Sequence, residues 1–155
     1  MKGVSIMKTN NTSINNIANI NTTSIILPGI GELSIPAYNE LMKLLEGWNN
    51  RDNIFDMKYN PYFIPALASY LRATGKPYEA DVIRSKAMQM VWTFNSNGKL
   101  ENVQWANRWT KGGAYIISEY YGEEFLVEGP TKKYFGAKAW EVIRDLCTPV
   151  AINFC

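Results

Sequence analysis

The stretch Ile64–Asn95, IPALASYLRATGKPYEADVIRSKAMQMVWTFN, reads as two helices joined by one tight corner. Pro65 suits a first helical turn, where a missing N–H costs nothing, and Leu67, Ala68 and Leu71 follow at helical spacing. Gly75 accepts the left-handed backbone of a helix end, and Pro77 both blocks continuation and suits a new start. The second helix places Ile83, Ala87, Val91 and Phe94 on one face, with Glu79, Arg84, Lys86 and Gln89 elsewhere. An antiparallel helical hairpin is therefore expected at the centre of the chain.

Upstream, Ser34 can cap a helix and Pro36 can occupy its first turn. Tyr38, Leu41, Leu45 and Trp48 then share a face, and Gly47 with the polar run Asn49–Asn53 is expected to close the helix. The connection 49–63 carries Phe55, Tyr59, Tyr62 and Phe63 and is expected to pack down onto the body. LPGIGELSIP at 27–36 reads as a glycine and proline corner. Residues 8–27 form an asparagine-rich arm, poor in both helix and strand propensity. Ile14, Ile17 and Ile20 give it one thin apolar stripe, suited to a groove on a neighbour or incidental in a mobile tail.

Downstream, NSNGK at 95–99 is a turn, and a long helix is expected from about Leu100 to Tyr121, with Trp105, Trp109, Ile116 and Tyr120 on one face. Gly112 and Gly113 within it mark a close backbone approach or a kink. Residues 122–136 read as a loop, and 137–147 as a last helix with Trp140, Ile143 and Cys147 inward, ended by Pro149. The expected fold is all-α: a compact bundle of four to five helices over 34–155, built on the central hairpin and preceded by an extended arm and corner over 1–33.

With 155 residues and 46% hydrophobic composition the chain can bury one core of its own. Sixteen basic and fourteen acidic residues leave a net charge of +2, distributed as −1 over 1–57, +5 over 58–111 and −2 over 112–155. The positive charge thus sits on the central segment, as a solvated helix face or as a binding surface. Lys58, Arg72, Lys76, Arg84, Lys86, Arg108 and Lys111 are the candidate nucleic-acid-binding residues, able to contact phosphates with tryptophan and tyrosine between them.

The chain contains no histidine, the usual general base and the commonest metal ligand. Cys147 and Cys155 form no disulfide framework, and Thr74-Gly75-Lys76-Pro77 lacks the glycine and the Ser/Thr of a phosphate loop. Glu119, Glu123 and Glu124 straddle a predicted helix end and are expected to face solvent. No enzymatic activity, metal, cofactor or small-molecule substrate is expected. No secretory core appears at the start and no run approaches the ~20 apolar residues of a membrane span, so synthesis in the cytoplasm is expected. The hairpin resembles one tetratricopeptide unit at Leu67, Ala68, Leu71, Gly75, Ala80 and Ala87, but the next window offers Gly98, Glu101 and Asn102 and the repeat is lost. A helix-turn-helix reader finds support only in Arg84 and Lys86.

The order of a polar arm, a corner, a helical body with an apolar penultimate helix and an apolar terminus resembles the major coat proteins of filamentous and rod-shaped archaeal DNA viruses. The most similar stretch is Gly112-Gly113-Ala114-Tyr115-Ile116-Ile117-Ser118-Glu119-Tyr120-Tyr121-Gly122. The resemblance implies a self-assembling virion coat protein that packages double-stranded DNA in a helical filament, as a homo-oligomer or with a second coat subunit. Because the arm carries only Lys2 and Lys8, charge neutralisation would fall to the central helices. Two alternatives come from other classes: a small helical adaptor or inhibitor of a protein partner, such as a phage encodes, and a small enzyme with a carboxylate or tyrosine site that the sequence does not locate.

Overall fold

The computed structural model describes residues 5–7, 23–106, 125–128 and 131–153. Residues 107–121 of the expected helix from Leu100 to Tyr121, its glycine pair at 112 and 113, Arg108, Lys111, Glu119, Glu123, Glu124, Cys155 and the isoleucine stripe of the arm lie outside the described residues.

The first antiparallel sheet has the order β1-β2-β3, with β1 at Ser5–Met7, β2 at Ser24–Leu27 and β3 at Gly31–Ser34. β2 and β3 form a hairpin whose turn uses Gly29 at φ 79° and Gly31 at φ 104°, with the Ile30 N–H donating to the Leu27 carbonyl at 3.2 Å. Ile25, Leu27 and Leu33 point inward and are buried. On the other face the Ser24 hydroxyl donates to Glu32 Oε2 at 2.6 Å.

Helix α1, Ile35–Asn49, starts where expected: Ser34 Oγ accepts from the Ala37 N–H at 3.2 Å. Its inward face is Ala37, Leu41, Leu44 and Gly47. Gly47 lies inside the helix rather than closing it. The connection then turns on side-chain caps, with Asn53, Asp56 and Asn60 carboxyl or amide oxygens each accepting a backbone N–H two residues on, at 3.1 Å. It buries Ile54, Phe55 and Tyr59 as it goes.

After a 3-10 turn at Pro61–Phe63, α2 (Ile64–Ala73) and α3 (Pro77–Ala87) form the expected hairpin. Gly75 has φ 87°, and the Lys76 N–H reaches the Leu71 carbonyl at 2.8 Å, closing α2 as a Schellman motif. All of Ile64–Ala68 is buried, so α2 has the most enclosed helix start among the described residues.

The second sheet has the order β5-β4-β7-β6, all antiparallel: β4 at Met90–Phe94, β5 at Leu100–Trp105, β6 at Phe125–Glu128 and β7 at Thr131–Tyr134. Helix α4 follows at Gly136–Asn153 and packs against α2, the 3-10 turn and β3. One buried cluster among the described residues joins β2, β3, helices α1 to α4, β4 and β5, and within it the fully buried Trp92 donates its indole N–H to the Ala87 carbonyl at 2.9 Å.

The all-α expectation is therefore wrong: the chain is α+β, with two antiparallel sheets against four helices among the described residues. Val91 and Phe94 do continue the helical spacing of Ile83 and Ala87, and all four are buried. The helix nevertheless stops at Ala87, because MVWTF is β-branched and aromatic and runs into the Asn95–Lys99 turn. Every residue of β4 is buried, so no alternation marks it as a strand. Residues 100–105 pair with β4 instead of opening a helix, and the expected loop over 122–136 contains β6 and β7. The corner at 27–36 is the β2–β3 hairpin, and the apolar end of the arm is strand β2. Pro149 lies within α4, which continues to Asn153 and keeps Ile152 against the core.

Candidate nucleic-acid interface

Helices α2, α3 and α4 border, beside the β2–β3 turn, an open groove of about 550 Å3 lined by Gly29, Ala68, Ser69, Arg72, Ala73, Arg84, Trp140 and Arg144. The floor is made of small residues from one side of α2 and the turn glycine. A Cβ on Gly29 would stand 2.5 Å from the Ser69 carbonyl oxygen, so the hairpin turn rests directly on α2. Trp140 forms a largely buried wall.

Three guanidinium groups and no carboxylate belong to this lining. Arg72 and Arg84 sit in the last turns of α2 and α3, where the carbonyl end of a helix favours a cation. Arg144 stands one turn after Trp140 on α4. Arg72 is held by Asp81 at 2.6 Å, while Arg144 meets Asp145 only at 3.8 Å, and all four side chains are more than half exposed. Exposed pairs of this kind contribute little and exchange readily with a better anion. Planar guanidinia around a concave floor are suited to the bidentate geometry of a phosphate.

Of the seven candidate residues, the groove brings together Arg72 and Arg84. Lys86 lines a second cavity, of about 610 Å3, on another side of α3. Lys58 lies 3.8 Å from Asp52 and 5.2 Å from the centre of the Tyr59 ring. Lys76 is exposed at the α2–α3 corner. Arg144 and Trp140 were missed because only tertiary packing carries α4 beside the hairpin; their four-residue spacing was the available signal.

No group of three or more metal-ligating side chains occurs among the described residues. Burial pushes the Cys147 thiol up to about 12, which makes it an inert core residue rather than a nucleophile. No helix among the described residues is long and apolar enough to cross a membrane. No family model, no curated protein and no solved structure matches the chain.

Proposed function

We propose that the protein is a non-enzymatic nucleic-acid-binding protein that grips backbone phosphates of double-stranded DNA with Arg72, Arg84 and Arg144. The observation that supports this reading is the convergence of three arginines on one cavity whose lining holds no carboxylate. Phosphate contacts of this type supply affinity and register without sequence preference. The narrower form of the proposal is a self-assembling virion coat protein, in which the groove would seat the backbone of the packaged DNA. The α+β body removes the all-helical shell from that likeness, so the narrower form requires self-association in addition to the DNA contact.

Electron microscopy of the purified protein with and without double-stranded DNA tests both forms, alongside duplex binding measured across a salt series. Duplex binding that weakens with salt and is lost in the Arg72→Ala/Arg84→Ala/Arg144→Ala variant supports the DNA contact; regular filaments that protect the DNA from nuclease support the coat. Small discrete particles with no salt-dependent duplex affinity would overturn both. The adaptor reading draws on a different observation, the 78% exposure of Tyr78, a side chain of the type that anchors protein interfaces.

A further inference from the structure

The cavity of about 610 Å3 between the end of α1 and the start of α3 is lined in part by Trp48, Arg51, Asp52, Tyr78, Glu79 and Lys86. Its most telling residue is Arg51. The end of α1 is a Schellman motif: the Arg51 N–H donates to the Trp48 carbonyl at 3.0 Å and the Asp52 N–H to the Gly47 carbonyl at 2.9 Å. In that motif the residue at the position of Arg51 takes the left-handed conformation and is usually glycine. Here an arginine holds φ 63°, the only non-glycine residue with positive φ among the described residues. Backbone strain of this sort gathers at binding sites, and this residue lines a cavity.

The charges in the cavity are unevenly committed. Asp52 accepts the Tyr59 hydroxyl at 2.5 Å and faces Lys58 at 3.8 Å, and Glu79 Oε1 accepts the Trp48 indole N–H at 2.8 Å. Arg51 and Lys86 make no ion pair among the described residues. What is left open to a ligand is two cations, one carboxylate oxygen each of Asp52 and Glu79, the largely exposed Tyr78 ring and the half-buried Trp48 ring. A nucleotide carries the complement of that set: a π face, a donor edge and an anionic phosphate.

We infer that this cavity binds an unpaired nucleotide, its base against Tyr78 and Trp48, its amino edge toward Glu79 and its phosphate held by Arg51 and Lys86. The volume suits one nucleotide, since pockets of roughly 300 to 1,000 Å3 enclose ligands of that size. Stacking on an aromatic side chain is tolerant of base identity, and neighbouring cations follow the backbone. The site is separate from the Arg72, Arg84 and Arg144 groove. It holds or fails independently of duplex binding there.

The test uses the purified full chain with three probes: a labelled ten-nucleotide single strand, the duplex of the same sequence and a nucleoside monophosphate as competitor. Tyr78→Ala is expected to weaken single-strand binding about 10-fold, Tyr78→Phe to retain it, and both to leave duplex affinity unchanged. Arg51→Gly is expected to weaken the single strand several-fold while raising the unfolding midpoint by about 2–4 °C, as relief of backbone strain requires. Full competition by the monophosphate identifies a free nucleotide as the ligand, and competition only by the strand identifies a nucleotide within a chain; either supports the site. Unchanged single-strand affinity in Tyr78→Ala, or an equal loss in Tyr78→Phe, would overturn it. So would tight binding of an acidic, aromatic-containing peptide that neither nucleotide probe displaces. Loss of duplex binding in Arg84→Ala with single-strand binding intact separates the two sites.

Discussion

Gly47 and Tyr59 meet ring against backbone: a Cβ built on Gly47 would stand 2.6 Å from the Tyr59 hydroxyl oxygen and 2.7 Å from ring carbon Cζ. The ring cannot easily withdraw, because its hydroxyl is bonded to Asp52 and its own N–H to the Asp56 carbonyl. Glycine to alanine inside a helix ordinarily stabilises by about 1 kcal/mol. At this position the sign reverses, and Gly47→Ala is expected to destabilise by about 1–3 kcal/mol through overpacking. Urea denaturation checks it, and the decisive control is Tyr59→Ala: in that background Gly47→Ala should become stabilising. A stabilising Gly47→Ala in the otherwise unchanged chain would show that the ring moves freely.

Two glycines with similar backbones separate conformational strain from steric contact. Gly75 has φ +87° and open space around a notional Cβ, whereas Gly29 has φ +79° and a Cβ there would press on the Ser69 carbonyl and the Ala73 methyl at 2.5 and 2.8 Å. Gly75→Ala should cost about 1 kcal/mol, the left-handed term alone. Gly29→Ala should cost a further 1–3 kcal/mol, roughly, and lift the β2–β3 turn off α2. Equal midpoints for the two variants would refute the contact. Because Gly29 lines the arginine groove, its variant should also weaken duplex binding, which Gly75→Ala should not.

The elements legible in the sequence are those whose signals are local. Ser34 caps α1, Gly75 and Pro77 make the hairpin corner, and Trp140, Ile143 and Cys147 face the core, all readable from residue type and spacing. The sheets were illegible for two reasons. β4 is buried throughout, so helical and strand spacing are indistinguishable there, and β7 is Thr-Lys-Lys-Tyr, whose place beside β4 is decided by pairing rather than pattern. The sites divide the same way. Arg72 and Arg84 stood out as charges on the hairpin, while Arg144 joins them only through the packing of α4. Arginine carries no preference for the left-handed region, so nothing in the sequence marks Arg51.

Asp81 competes with any anion for Arg72. The pair is 2.6 Å apart with side chains 53% and 63% exposed, so its loss should change stability by no more than about 0.5 kcal/mol. Removing it frees a guanidinium at the groove. Asp81→Ala is therefore expected to raise duplex affinity about 3- to 10-fold and to steepen the dependence of affinity on salt by up to about one phosphate contact. Arg72→Ala/Asp81→Ala should erase the gain. Anisotropy titrations at several salt concentrations measure both quantities, and weaker binding by Asp81→Ala would mean that Asp81 positions Arg72 for phosphate instead of occupying it.

Cys147 gives the fold an alkaline limit. Desolvation pushes its thiol from 9.0 up to about 12, and burial also raises Tyr70, with Tyr38 adding to it. Tyr59 is raised by its hydrogen bond to Asp52, then by burial and the neighbouring acidic charges. In each case the folded chain favours the neutral form, so the unfolded chain gives up its proton first. The stabilisation is complete below about pH 9 and is lost as pH rises, through about 12 for Cys147 and above 10 for the tyrosines. Urea midpoints should thus be flat across neutral pH and fall from about pH 9 upward, and Cys147→Ala should flatten the first part of that fall. In a Cys155→Ser background, which leaves Cys147 as the single thiol, a disulfide reagent at pH 8 should react only through opening of the fold, slowly and faster as urea is added. Rapid modification in the absence of denaturant would place the thiol at a surface and remove this account of the alkaline transition.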